Sequence, residues 1–114
     1  MKDCLFCKIV AGEIPANKVY EDEELFAFYD IAPQAPIHFL VIPKKHIKNI
    51  MELQSGDTEL AGRLLFKAQE LAVELGCGDS GARFVINCKS DGGQTVDHIH
   101  VHVLGKRAMG WPPG

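Results

Sequence analysis

Three histidines at alternate positions are the residues of this chain best suited to chemistry. They lie in segment 98–104, which reads His-Ile-His-Val-His-Val-Leu. A β-strand points alternate side chains to opposite faces and rises by about 3.3 Å per residue. A strand here would place three imidazoles on one face and the apolar side chains on the other. Such a row suits binding of a transition metal or nucleophilic attack at phosphorus, and the plainer alternative is a solvent-facing polar edge.

A loop rich in hydrogen-bond donors leads into the histidines. It runs from Asn87 to Thr95 and includes the adjacent Gly92 and Gly93. Adjacent glycines let backbone amides approach an anion closely, and the Asn87 amide and Thr95 hydroxyl add further donors. A Gly-Gly pair by itself marks hairpin turns more often than phosphate sites. Its position before three histidines favours chemistry at phosphorus over a bare metal hydrolase, since no carboxylate cluster suited to magnesium is evident.

Two of the four cysteines, Cys4 and Cys7, form a C-x-x-C pair, whereas Cys77 and Cys88 stand alone. Such a pair can be a redox dithiol, half of a zinc site, or a chance spacing in a short helix. A thioredoxin-like dithiol needs a strand just before the motif, and only three residues precede Cys4. The redox interpretation is therefore disfavoured, and the other two remain open.

Length and charge restrict the class of protein further. The 114 residues predict one domain spanning 1–114, and the formal net charge is −3. The only run of three basic residues is Lys44-Lys45-His46, which is short, so nucleic acid is not expected as a partner. No apolar window long enough for a membrane span and no secretory signal pattern occurs, which predicts a cytoplasmic protein without membrane association. Cysteines in that reducing compartment are not expected to form disulfides.

The hydrophobic patterns predict an α+β domain with an antiparallel sheet of about five strands, one long helix and one short helix. Strands are predicted over 18–21, 25–29, 37–42, 83–87 and 98–104, with loops over 30–36 and 88–95 and a helical turn over 48–53. A short amphipathic helix is predicted over 5–10. The long helix lies between Ser55 or Asp57, either of which could cap it, and Gly76. Its apolar stripe is core scaffold and consists of Leu60, Leu64, Ala68, Leu71 and Leu75.

These segments together resemble the histidine triad superfamily of nucleotide hydrolases and transferases. The signature is His98-x-His100-x-His102 followed by Val103-Leu104, and the resemblance continues through segment 30–47. Asp-Gly-Gly-Gln at 91–94 and Trp-Pro-Pro-Gly at 111–114 are similar to the histidine triad nucleotide-binding protein branch, the purine nucleoside phosphoramidases. Nearly the whole chain aligns in order.

The resemblance implies hydrolysis of purine nucleoside phosphoramidates, such as adenosine 5′-phosphoramidates, and of aminoacyl adenylates. His100 would attack the α-phosphorus and form a covalent nucleotidyl-histidine, which water then cleaves. His102 and the backbone of Gly93 would hold the phosphate oxygens, and His38 would orient His100 through a neighbouring backbone carbonyl. The remaining implied contacts, to the phosphate and leaving group, are those of Asn87 and Thr95.

A nucleoside pocket is implied in the same way. Asp30 would accept hydrogen bonds from both ribose hydroxyls, although it could instead be a loop cap before Pro33. Six apolar residues match positions that sandwich the purine, although they could also be plain core: Leu5, Phe6, Ile9, Phe28, Ile31 and Leu40.

Some similar proteins carry zinc on two cysteines and two histidines, which match Cys4, Cys7, His46 and His98. A closed Cys₂His₂ set is typical of structural zinc, leaves His100 and His102 free, and would tie the N-terminal helix to the sheet. The alternative is a metal-free pair of thiols. The resemblance also implies a two-fold homodimer with one continuous sheet, in which the tail containing Trp111 reaches toward the partner's active site.

Three other functions remain possible on the sequence. The first is a nucleotide-binding regulatory or scaffold protein, which only a turnover measurement would distinguish from an enzyme. The second is a dinucleoside polyphosphate hydrolase or nucleotidyl transferase of the same superfamily, whose members generally lack the terminal tryptophan segment. The third is a zinc-dependent nucleic-acid module, against which the acidic net charge argues.

Overall fold

The computed structural model describes residues 3–114 and contains one five-stranded antiparallel sheet, as predicted. The strand order is β1-β2-β3-β5-β4, so β5 lies inside the sheet between β3 and the edge strand β4. The strands are β1 (Lys18–Glu21), β2 (Leu25–Tyr29), β3 (Ile37–Pro43), β4 (Ala82–Val85) and β5 (Val101–Gly105). The predicted fold class, α+β, is confirmed.

The short and long helices are also present, as α1 (Leu5–Val10) and α2 (Thr58–Ala72). The long helix continues into a π-helical turn (Val73–Cys77), in which Gly76 has a φ of +93°. The predicted turn before it is a 3₁₀ turn (Ile50–Glu52). None of the helices within residues 3–114 is both long and apolar enough to span a bilayer.

The start of α2 differs from the prediction. A second 3₁₀ turn (Ser55–Asp57) precedes the helix, and Asp57 at the N-cap position makes no side-chain capping bond to α2. The Asp57 carboxylate instead accepts the Gln54 N–H at 2.9 Å and pairs with Lys45 Nζ at 2.6 Å. The carboxylate therefore stabilises the preceding turn rather than the helix end.

The side chains of the sheet alternate between two buried layers. One face packs on α2 through residues that include Ala27, Phe39, Val41, Val101 and Val103. In α2 itself Leu64, Ala68 and Leu71 are buried, and Leu60 on α2 and Leu75 in the π-helical turn pack at the margin. The opposite face packs on α1, where Phe6 and Ile9 join Phe26, Phe28, Leu40 and Ile42. Because successive side chains of a strand point to opposite faces of the sheet, the even-numbered residues of β3 and β5 face α1.

Three predicted boundaries are corrected. The strand predicted over 98–104 begins only at Val101, because the Ile99 N–H donates to the Ile47 carbonyl at 2.7 Å and the His98 imidazole occupies the Pro43 carbonyl. The strand predicted over 83–87 is β4, which begins one residue earlier and ends two residues earlier. The loop predicted over 88–95 contains one helical turn, α3 (Lys89–Gly92), which ends at Gly93 with a φ of +74°.

Candidate active site and metal centre

Three imidazoles lie together on the α1 side of the sheet. His38 is on β3, His102 is on β5, and His100 lies one residue before β5. The register pairs Leu40 with His102, which places His38 diagonally opposite His102 on the same face. The ring centroids of His100 and His102 are 4.9 Å apart, and those of His38 and His102 are 5.2 Å apart.

The orientation of His100 is set by a backbone carbonyl. Its Nδ1 lies 2.7 Å from the carbonyl oxygen of His98, which can only accept a hydrogen bond. The proton is therefore on Nδ1, and Nε2 carries a free lone pair. The Phe6 ring and the imidazole pack in a T-shaped arrangement with centroids 5.0 Å apart. Burial lowers the pKa of His100, so its imidazole is neutral at pH 7.

His38 and His102 form a second oriented pair. The Gln34 N–H donates to His38 Nδ1 at 3.0 Å, so the proton of His38 is on Nε2. That Nε2 lies 3.0 Å from His102 Nδ1 and donates to it, which leaves the proton of His102 on its own Nε2. His38 thus contacts His102 rather than His100, and the carbonyl that orients His100 is that of His98.

The charges around this pair favour neutral rings. Burial lowers the pKa of His38, although Asp30 Oδ2 at 3.4 Å from His38 Nε2 opposes the shift. Burial, together with repulsion from His100 and His38, lowers the pKa of His102 to about 4. The site therefore presents uncharged imidazoles with defined donor and acceptor nitrogens at neutral pH.

Cys4, Cys7, His46 and His98 converge beside α1, and we call them the cysteine–histidine cluster. His98 Nδ1 lies 3.2 Å from Cys4 Sγ, 3.6 Å from Cys7 Sγ and 3.2 Å from His46 Nδ1. Cys7 Sγ lies 3.4 Å from His46 Nδ1. Tetrahedral zinc with its usual bond lengths keeps such atoms about 3.3–3.8 Å apart, so the spacing fits a zinc site.

The tautomer of His98 also leaves the nitrogen that faces the cluster free to bind a metal. Its Nε2 lies 2.7 Å from the carbonyl oxygen of Pro43, so Nε2 carries the proton and Nδ1 presents its lone pair to the cluster. A backbone carbonyl behind the ligating imidazole is the usual outer support of a metal-bound histidine. Burial raises the pKa of the Cys7 thiol. The cluster could hold a metal such as zinc.

The sequence matches the HIT domain over residues 11–109. The chain belongs to the HIT family. An uncharacterized HIT-like protein of Synechocystis is 50% identical over 113 residues, which cover 99% of this chain and 98% of that protein. A solved HIT family hydrolase from Legionella pneumophila is 54% identical with a TM-score of 0.96, over 98% of this chain and 100% of that one. A histidine triad protein from Clostridium difficile is 41% identical with a TM-score of 0.92, over 96% of both chains.

Four of the six predicted purine contacts of this HIT domain lie in the buried cluster under α1, namely Phe6, Ile9, Phe28 and Leu40. The other two reach the surface, since Leu5 is 42% exposed and Ile31 is 96% exposed. Leu5 also lines a cavity of about 580 Å³, together with Cys4, His46 and Thr95 among others.

The structure shows one of the two roles considered for Asp30, that of a loop cap. Its Oδ1 accepts the Ala32 N–H at 2.8 Å, which is the loop cap, and its Oδ2 faces the His38–His102 pair. Asp30, His38 and His102 lie close enough to share an ion, but the tautomer argues against one. Because His38 Nδ1 already accepts a hydrogen bond, Nε2 of the neutral ring keeps its proton and has no lone pair for a metal.

Only some of the hydrogen-bond donors predicted for the phosphate loop are free to bind a phosphate. Asn87 is half-buried and Thr95 is exposed, so both side chains are accessible. The Gly93 N–H, however, donates to the Ser90 carbonyl at 3.1 Å at the end of α3. The backbone donor expected at Gly93 is therefore already engaged in this structure.

Sequence reasoning missed two residues behind the histidines, Gln34 and Arg107. Gln34 uses its backbone N–H to fix His38, and its carbonyl accepts a hydrogen bond from Arg107 Nε at 2.8 Å. Any residue type can form a contact through its backbone, so the identity of Gln34 gave no indication of this one. An arginine just after the predicted histidine strand was the only available hint.

Proposed function

We propose that this HIT domain is a purine nucleoside phosphoramidase of the histidine triad nucleotide-binding branch. Its substrates would be adenosine 5′-phosphoramidate-type compounds and aminoacyl adenylates. The observation that carries the proposal is the His100 imidazole, with its Nδ1 proton held by the His98 carbonyl at 2.7 Å. A neutral imidazole fixed in this tautomer directs its Nε2 lone pair outward as a nucleophile. The tail sequence Trp-Pro-Pro-Gly supports the choice of branch.

In the proposed first step, His100 Nε2 attacks the α-phosphorus, a nitrogen–phosphorus bond to His100 forms, and the bond from phosphorus to the amine breaks. The departing amine needs a proton, for which His102 Nε2–H is the nearest oriented donor. His38 Nε2–H, 3.0 Å from His102 Nδ1, keeps its proton and stabilises through this hydrogen bond the negative charge left on His102. Water then attacks the phosphorus and gives a proton to His102 Nε2, the bond from phosphorus to His100 breaks, and the nucleoside monophosphate leaves with the His100 lone pair restored.

The phosphate oxygens need donors that are in place before charge develops. Asn87 and Thr95 offer accessible amide and hydroxyl groups for this role. The Gly93 amide could contribute only by exchanging its hydrogen bond to Ser90. The purine would lie against the apolar residues under α1, beginning with Phe6, and Asp30 Oδ2 would accept the ribose hydroxyls.

Zinc is proposed for the cysteine–histidine cluster as a structural ion. The donor set and spacing fit it, and all four protein ligands together close the coordination sphere. Bound zinc would supply a crosslink between α1 and the segments that carry His46 and His98. The chemistry at His100 needs no ligand from this cluster.

A homodimer is proposed on the exposed apolar surface of the α2 side. Leu65 and Phe66 on α2 and Val73 in the π-helical turn that follows are exposed, and Phe66 is 61% exposed. Phe84 is 44% exposed on β4, which is an edge strand. An open edge beside an apolar helix face is the kind of surface that a second copy covers, with the two β4 strands joining the sheets.

The direct test is turnover with a panel of adenosine and guanosine phosphoramidates, followed as release of the mononucleotide. Rapid quenching in alkaline denaturant, which preserves the acid-labile phosphorus–nitrogen bond, and mass analysis should reveal one nucleotidyl group bound per active site. Nucleotide binding without any release would favour a regulatory or scaffold protein. Faster cleavage of dinucleoside polyphosphates than of phosphoramidates would favour the alternative hydrolase or transferase activity.

A further inference from the structure

The chain turns sharply after β5, and the turn carries Arg107 back over the loop before β3. Lys106 has a φ of +70°, a left-handed conformation that residues other than glycine seldom adopt. Arg107 Nε then donates to the Gln34 carbonyl at 2.8 Å, across 73 positions of sequence. Backbone outliers of this kind persist where the surrounding structure requires them, and they cluster at functional sites.

Gln34 is held on both sides of its α-carbon. Its carbonyl accepts from Arg107, and its N–H donates to His38 Nδ1 at 3.0 Å. The Gln34 side chain adds a third bond, from Nε2 to the Ala32 carbonyl at 2.9 Å. Fixing the carbonyl restricts the backbone rotations of Gln34 that would turn its N–H away from His38.

The direction of the Gln34 N–H decides which ring nitrogens of His38 and His102 carry protons. With the N–H in place, His38 donates from Nε2 to His102 Nδ1, and His102 keeps a proton on Nε2. Without it, His38 could carry its proton on Nδ1, and His102 would then donate from Nδ1 to His38. His102 Nε2 would become an acceptor that repels a phosphate oxygen and has no proton for the amine.

We propose that Arg107 is a positioning residue for the reaction proposed above, which acts through Gln34 and His38 to keep a proton on His102 Nε2. The inference rests on the proposed function for its catalytic consequence. The tautomer itself is a property of the free protein. Asp30 Oδ2, 3.4 Å from His38 Nε2, favours the same tautomer, so loss of Arg107 weakens the arrangement without abolishing it.

The test compares three variants of the full chain. Arg107→Met removes the donor and keeps the length of the side chain, whereas Arg107→Lys keeps a cationic donor. Arg83→Met is the matched control, because Arg83 also donates to a backbone carbonyl at 2.8 Å, but to that of Gly110 in the tail. Imidazole ¹⁵N chemical shifts at pH 7 report the tautomers of His38 and His102 without any substrate.

We expect wild type and Arg83→Met to show His102 protonated on Nε2, and Arg107→Met to show averaged shifts for both rings. The kcat of Arg107→Met should fall by about three- to tenfold, the effect of losing one hydrogen bond, with KM changed by less than about twofold. Arg107→Lys should recover most of that loss.

Unchanged ¹⁵N shifts in Arg107→Met would overturn the proposal, as would equally averaged shifts in Arg83→Met. Averaged shifts in a protein that cleaves no phosphoramidate would support the positioning of His102 while refuting the proposed reaction. Turnover by wild type with unchanged shifts and kcat in Arg107→Met would refute the positioning and leave the reaction standing.

Discussion

The backbone carbonyl of His98 accepts the Nδ1–H of His100 at 2.7 Å, while the His98 imidazole lies in the cysteine–histidine cluster. One residue therefore belongs to both the candidate metal centre and the support of the proposed nucleophile. The link runs through the backbone, which the Pro43 contact of His98 Nε2 also holds in place. We expect the cysteine–histidine cluster to affect mainly the stability of the fold, and to affect the reaction at His100 only through the position of this carbonyl.

Replacement of His100 by alanine should abolish turnover and leave nucleotide binding largely intact. Covalent catalysis cannot proceed without its nucleophile, whereas the apolar pocket and Asp30 remain. We expect kcat to fall by at least about 10³-fold, with the Kd for the mononucleotide changed by less than about fivefold. Calorimetry and the turnover assay measure the two quantities separately. Hydrolysis by this variant at the wild-type rate would contradict the mechanism.

Zinc should be present at one ion per chain and should act on stability. Replacing Cys4 and Cys7 with serine should lower the melting temperature by more than about 10 °C, because thiolate-bound metal contributes to the free energy of folding. The kcat measured well below the melting temperature should fall by less than about tenfold. Cys88→Ser is the control, since Cys88 lies outside the cluster. Protein purified without chelators that contains no zinc by elemental analysis would exclude the site.

Stability should decrease as the pH falls from about 6.5 toward 4. The folded protein binds a proton at His102 only near its lowered pKa of about 4, whereas the unfolded chain binds one near 6.5. His38, with its pKa lowered by burial, acts in the same direction. Acid therefore favours the unfolded chain, which binds more protons. Urea unfolding at several pH values measures the slope, and His102→Gln should make it shallower; an unchanged slope would show that His102 does not contribute.

The proposed dimer should dissociate when a charge is placed on the exposed face of α2. Phe66→Glu should give a monomer at micromolar concentration in analytical ultracentrifugation, because burial of the new carboxylate costs more than the interface supplies. Met51→Glu is the control, since Met51 is also exposed and apolar but lies outside α2. A wild-type protein that is already monomeric under these conditions would refute the dimer.

Removal of the tail from Met109 to Gly114 should change substrate selectivity and preserve the fold and the dimer. Trp111 is 84% exposed within one chain, so its ring gains most by docking on a second copy. The truncation keeps Arg107 and its bond to Gln34, which separates this effect from the positioning of His102. The ratio of kcat/KM across several amine leaving groups is the readout. Equal ratios for the truncated and full-length chains would contradict a role of the tail in selectivity.

The sequence by itself determined the elements and most of the chemistry. Runs of apolar, strand-forming residues located β2 and β3, helical spacing located α1 and α2, and side-chain type identified the imidazoles and thiols that could react. These features are local or carried by residue type, so they can be read without coordinates. The resemblance then grouped Cys4 and Cys7 with His46 and His98, which the structure brings together.

Only the tertiary structure decided how the imidazoles are protonated and which backbone groups are free. The bonds from His98 to Pro43 and from Arg107 to Gln34 join residues 55 and 73 positions apart, and each ends on a backbone carbonyl. The engagement of the Gly93 N–H by Ser90 and the late start of β5 are likewise backbone events. Every residue type has a backbone carbonyl, so the sequence does not mark which one a folded chain will bring to a histidine. Which backbone group reaches each histidine depends on the path of the folded chain. The resulting hydrogen bonds make Nε2 of His100 an acceptor and Nε2 of His102 a donor.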